Sequence, residues 1–218
     1  MEKVSFELFG LTLLEPLSSL MNWVLAALCI YFYFQLKNRE DQYLKYWSWF
    51  FLMFGLSFFF GGISHLFYEY VGLKGKIPGW SCSVLAVAVG EMAMVLDVAD
   101  EKKRRVFISL IRSMVFATFV MLFLDLSFTW VMVHTAGFWV FVGVLAVQRW
   151  RAGQTGYKYF LQGMSFLLVM AVVKIGEVDI DPAWFNRDDI AHFIMLGMYW
   201  MFYRGVEETA PSSQHAFR

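Results

Sequence analysis

The sequence predicts an all-α membrane protein: a seven-transmembrane helix bundle with its N-terminus outside and its C-terminus in the cytoplasm. Three observations carry that prediction. First, 59% of the 218 residues are hydrophobic and only 17% are charged, where a soluble domain carries about 45–50% apolar and about 25% charged residues. With a mean hydropathy of +0.55, a water-soluble fold of this length has too little interior to hide the excess. Second, the apolar residues form long continuous runs, not the roughly 10-residue alternating segments of a barrel. In lipid, only helices and closed barrels pair every backbone N–H and C=O. Third, the basic residues gather on alternate loops.

A span needs about 20 apolar residues at 1.5 Å rise each. Seven segments meet or approach that length: 17–36, 47–70, 80–98, 106–124, 128–147, 157–175 and 190–203. The last is short and is expected to begin a turn earlier, near Asp188. Residues 1–16 form an N-terminal segment whose stretch 2–15 has an amphipathic look suited to the membrane interface. Residues 17–205 hold the seven spans. The polar tail 206–218, with Pro211 and His215, is expected to be disordered.

One side of the predicted bundle collects Lys37, Arg39, Lys45, Lys102, Lys103, Arg104, Arg105, Arg112, Arg149, Arg151, Lys158, Arg204 and Arg218, thirteen of the eighteen basic residues. That excess marks the cytoplasmic face. Trp47, Trp49, Tyr68, Tyr70, Trp80, Trp130, Trp150, Tyr157 and Trp184 crowd the span ends, as interfacial anchors do. The formal net charge is zero, which gives no reason to expect nucleic acid. Cys29 and Cys82 lie in apolar runs without a CxxC, and no disulfide between them is expected. No cleavable signal peptide is expected, since the first apolar run lacks a basic flank and a small-residue cleavage site. No internal repeat is visible, which argues against a transporter built from repeats.

Ionisable groups inside a span are costly and mark function. His65 lies about one turn from the outer end of the second span, in the run Gly61-Gly62-Ile63-Ser64-His65. His134 lies two turns into the fifth, and Asp188 and His192 open the seventh. All three histidines therefore fall in the outer half of the bundle. Asp188 and His192, four residues apart, share one helix face. A carboxylate and an imidazole at that spacing can hold one metal ion, as paired histidines do in helical zinc motifs. His65 would complete a three-ligand site with an open fourth position, whose bound water becomes a nucleophile near neutral pH. Glu91, mid-span in the third helix, or Ser64 would orient that water, and His134 is a further candidate member. A structural reading stands beside this one. Asp188 and Asp189 can cap the last helix, and His65 and His192 can bond each other, or Tyr68 and Tyr199, as interhelical glue. Asp97 is expected to meet the basic run 102–105, Lys174 and Glu177 to pair locally or snorkel, and Gly61-Gly62 to allow close helix packing.

A histidine near the end of helix two after small residues, followed by a last helix opening on a metal-type pair, resembles the CREST superfamily of seven-helix membrane hydrolases. That superfamily includes the alkaline ceramidases and the adiponectin and progestin receptors. Its last helix opens with H-x-x-x-H, often followed by small residues and a tyrosine. Asp188-Asp189-Ile190-Ala191-His192, with Gly197 and Tyr199 after it, looks like a variant with the first histidine replaced. His65 matches the helix-two zinc ligand by position. The chain departs from the pattern at Gly61, where the family carries a serine, and at Ser81, Cys82 and Ser83, where it carries an aspartate near the start of helix three.

The resemblance implies a zinc cofactor and hydrolysis of a lipid amide or ester that enters laterally from the membrane. A non-enzymatic receptor, sensor or complex subunit is the alternative, and haem held by His65 and His134 is a third. No lysine stands in the seventh helix to bind retinal. The expected partners are membrane lipids and a lipid substrate, with a homo-oligomer open. The expected residence, from compactness alone, is the bacterial inner membrane.

Overall fold

A computed structural model describes residues 4–98, 100–182 and 184–210. Seven long helices account for most of them: α1 (Pro16–Leu36), α2 (Gln42–Leu66), α4 (Ile77–Val95), α5 (Glu101–Asp125), α6 (Thr129–Arg151), α7 (Tyr157–Ile175) and α8 (Arg187–Thr209). A four-residue helix, α3 (Tyr68–Val71), and a 3-10 turn (Gly72–Lys76) join α2 to α4. The chain is a helical bundle, and among the described residues six segments are long and apolar enough to cross a membrane, α3 to α4 counting as one of them (Tyr68–Val95). Charged residues at both ends of α8 lower its hydropathy and keep it out of that set.

Local chemistry sets the helix starts. Asp41 caps α2, its carboxylate accepting from the backbone N–H of Tyr43 (2.9 Å) and Leu44 (3.2 Å). Asp100 does the same for Lys103 at the start of α5. Proline stands in the first turn of α1 and of α4, where a missing N–H is no loss. On α8, Asn186 and Asp189 form a reciprocal capping box. Asp189 thus caps as expected, while Asp188 contributes only its backbone N–H.

The long helices close into a ring. α1 packs on α2, α2 on α4, α4 on α6, α6 on α7, α7 on α8, and α8 returns to α1; α5 stands outside against α4 and α6. The core is aromatic. Trp47, Phe50 and Phe51 of α2 are fully buried with Phe32 of α1, Phe138 of α6, Phe160 of α7 and Phe202 of α8. Phe32 stacks on Tyr203 at 4.2 Å between ring centroids. In lipid such packing rests on dispersion and shape, because burial from water supplies no drive there. Small residues bring α1 and α2 together, as expected from Gly61-Gly62. A Cβ on Gly62 would lie 2.4 Å from Trp23 Nε1 and 3.0 Å from the carbonyl of Ser19.

Several expectations are corrected by these contacts. Trp47 is core, not an interfacial anchor, because α2 begins at Gln42 and carries Trp47 more than a turn inside the bundle. Tyr157 is also buried, with its hydroxyl donating to the Asp97 carboxylate. Trp49, Tyr70, Trp150 and Trp184 are exposed, as anchors should be. Asp97 does not meet the 102–105 run: Tyr157 holds its side chain, and Arg149 donates to its carbonyl. Burial pushes the Asp97 carboxyl above its ordinary range, against the pull of Arg149.

Residues ahead of α1 form a β-hairpin, β1 (Ser5–Leu8) against β2 (Leu11–Leu14), with Leu8 opposite Leu11. Its two-residue turn, Phe9-Gly10, has positive φ at both positions, the conformation that suits a tight hairpin. At the other end α8 runs to Thr209, so 206–209 belong to the bundle and not to a tail. Residues 211–218, including His215, lie outside the described residues.

Candidate functional site

The C-terminal ends of α2 and α7 meet the N-terminal ends of α1, α4, α6 and α8 at one end of the bundle, around a cavity of about 510 Å³. That is a volume suited to a small molecule. Its deeper wall is apolar, formed by Phe54, Phe58, Trp139, Met195, Met198 and Tyr199. Its mouth is polar, lined by Asn22, Ser64, His65, Lys174, Asp188 and His192.

His192 sits one turn into α8. Its Nδ1 lies 2.6 Å from the carbonyl of Asp188. A carbonyl only accepts, so Nδ1 carries the proton and Nε2 offers a lone pair. Asn22 of α1 meets that lone pair: its Nδ2 lies 3.0 Å from His192 Nε2 and donates its other hydrogen to the carbonyl of Ser18 at 2.8 Å. His65, in the last turn of α2, holds the Glu15 carboxylate through Nδ1 at 2.8 Å. Glu15 is the residue between the hairpin and α1, with a left-handed backbone (φ 47). The two imidazole rings stand perpendicular, with centroids 6.4 Å apart.

Asp188 turns its carboxylate to Lys174 at the end of α7, and the two form an ion pair. His65, Asp188 and His192 therefore line one cavity, as their common depth in the sequence predicts. Their polar atoms go to other partners: His65 to Glu15, Asp188 to Lys174, and His192 to Asn22 and the Asp188 carbonyl. Among the described residues, no three His, Cys, Asp or Glu side chains gather closely enough to share a metal ion. Ser64 Oγ faces back into its own helix and donates to the carbonyl of Gly61 at 2.9 Å.

Glu91 and His134 lie elsewhere. Neither lines the cavity. They face each other across α4 and α6, with His134 Nε2 3.5 Å from Glu91 Oε2, and both are buried. Glu91 Oε2 and both ring nitrogens of His134 make no hydrogen bond. His134 therefore does not share a chamber with His65 for a haem to bridge.

Three contacts were not read from the sequence. Asn22 stands in the first span and is 3% exposed; a buried amide in a membrane helix is itself a signal of an interhelical bond. Ser57 and Ser83 join α2 to α4 at 2.7 Å. Glu15 had no signal, since only the fold brings it to His65.

No curated protein and no solved structure matches the chain. The model of a family of unknown function, DUF6962, matches residues 17–211. Those residues take in nearly the whole bundle and leave out the hairpin and Glu15, and the chain belongs to that family.

Proposed function

We propose that the chain crosses the membrane seven times, with α8 as the last span and the N-terminus outside, and that its end cavity binds an amphiphilic molecule. The observation that carries this is the division of the cavity wall. Polar groups from α1, α2, α7 and α8 converge at the mouth, over a deeper chamber of aromatic and methionine side chains. Such a wall takes a hydrogen-bonding head against His65 and Lys174, and an apolar body against Met198 and Tyr199. The three methionines Met170, Met195 and Met198 let that chamber adapt to shape. This is a binding protein of the receptor or sensor kind. The test is mass spectrometry of lipids extracted from the purified protein. Wild type should retain an amphiphile that Met198→Trp, which fills the chamber, and Lys174→Leu both lose. Identical profiles for all three proteins would end the proposal. Reporter fusions check the orientation: a C-terminal fluorescent fusion should light up in the cytoplasm and an N-terminal one should not.

One observation favours a second reading, the zinc-dependent hydrolysis of a lipid amide or ester that the CREST resemblance implies. Both imidazoles are oriented through Nδ1 by an oxygen acceptor, the support that metal-binding histidines usually have. The donor set stops there, because Asn22 meets the His192 Nε2 lone pair and Lys174 occupies the third expected ligand, Asp188. A stoichiometric metal in purified wild type that is absent from His192→Ala would favour this reading; metal-free wild type would end it.

A further inference from the structure

Outside the ring, α6 and α7 part to leave a lateral groove of about 760 Å³, separate from the end cavity. Its walls are Val140, Val144 and Val147 of α6 and Leu161, Met164 and Leu168 of α7. Val140, Val144 and Leu168 are among the most exposed apolar residues of the chain. Both helices are long and apolar enough to cross a bilayer, so this groove opens to hydrocarbon and not to water. At one end stand Gln148 and Arg151, in the last turns of α6. Arg151 makes no ion pair among the described residues. At the other end the groove shares Trp139 and Leu167 with the end cavity. Twelve residues of α6 separate Arg151 from Trp139, about 18 Å of helix axis.

We infer that this groove is a binding site for an anionic membrane phospholipid, with its phosphate on Arg151 and one acyl chain laid between α6 and α7 toward Trp139. The chemistry at the two ends selects that occupant. A guanidinium at the membrane boundary pairs with phosphate, and an apolar trough open to lipid takes a hydrocarbon chain. The site does not rest on the ligand proposed for the end cavity.

The test uses the full-length protein in nanodiscs of equimolar phosphatidylglycerol and phosphatidylcholine with matched acyl chains, released into a mass spectrometer under native conditions. Wild type should retain one phosphatidylglycerol in preference to phosphatidylcholine by about fivefold, the preference that one boundary cation gives. Arg151→Gln should keep a bound lipid but lose the preference. Val144→Trp, which fills the groove from an exposed position that folding does not need, should lose the retained lipid. The same change at Leu124, exposed on α5, should not. Equal retention of the two lipids by wild type would overturn the proposal. So would wild-type retention by Val144→Trp, or a dimer that buries this face and carries no lipid there.

Discussion

Both amide hydrogens of Asn22 are used, one on the carbonyl of Ser18 and one on His192 Nε2. Removing the amide leaves a lone pair unmatched between helices, where an interhelical bond is worth about 1 kcal/mol. Asn22→Leu should therefore lower the thermal midpoint in detergent, and an unchanged midpoint would show the bond to be idle. The Glu91–His134 pair behaves differently. Taking away one member of a buried polar pair leaves the other group stranded, at about 1–3 kcal/mol, while replacing both with apolar groups is often nearly neutral. Glu91→Leu alone should thus melt well below the double variant Glu91→Leu/His134→Leu. A single variant as stable as the double would contradict a paired role. At this scale the sequence exposes the ionisable residues but not whom they meet. His65, His134, Asp188 and His192 stand out because each is ionisable in an apolar run. That Asp188 goes to Lys174 and Glu91 to His134 depends on how four helices are rotated about their axes, and nearly uniform apolar surroundings carry no record of that rotation.

Between elements, the contact of α1 with α2 depends on the absence of side chains at Gly61 and Gly62. Gly62→Ala forces a methyl against Trp23 and the Ser19 carbonyl, an overpacking that costs about 1–3 kcal/mol. It should lower the thermal midpoint and shift the tryptophan emission. The hairpin is the weakest element. A lone pair of strands is marginal by itself, and this one is tied down where the backbone N–H of Thr12 donates to the Tyr70 hydroxyl at 2.8 Å. Tyr70→Phe should raise hydrogen exchange across residues 5–14 while leaving the spans protected; unchanged exchange would mean that the tie carries nothing. Helix positions were legible to within about two turns, because lipid demands long apolar runs. The start of α2 was missed since Gln42-Tyr43-Leu44-Lys45 is too polar to read as span, yet Asp41 caps a helix there. The hairpin was missed because an alternating stretch of so few residues looks equally like the edge of an amphipathic helix.

For the molecule as a whole, ring closure brings α8 between α1 and α7. The charges of α8 stand at its two ends, Arg187, Asp188 and Asp189 at one and Arg204, Glu207 and Glu208 at the other, and its middle is apolar. Closure of the ring between α4 and α6 is direct, and α5 is an outrigger with few buried residues: Ile111, Thr118 and Leu122. The turn between α4 and α5 is thus the place where the covalent chain matters least. One half would carry α1, α2 and α4, the other α5 to α8. They would meet again through α1 with α8 and α4 with α6, and Tyr157 and Arg149 of the second half would grip Asp97 at the cut end of the first. A gene severed after residue 98 and expressed as two cistrons should yield fragments that co-purify as a pair, each recognising the other without a peptide bond to hold them together.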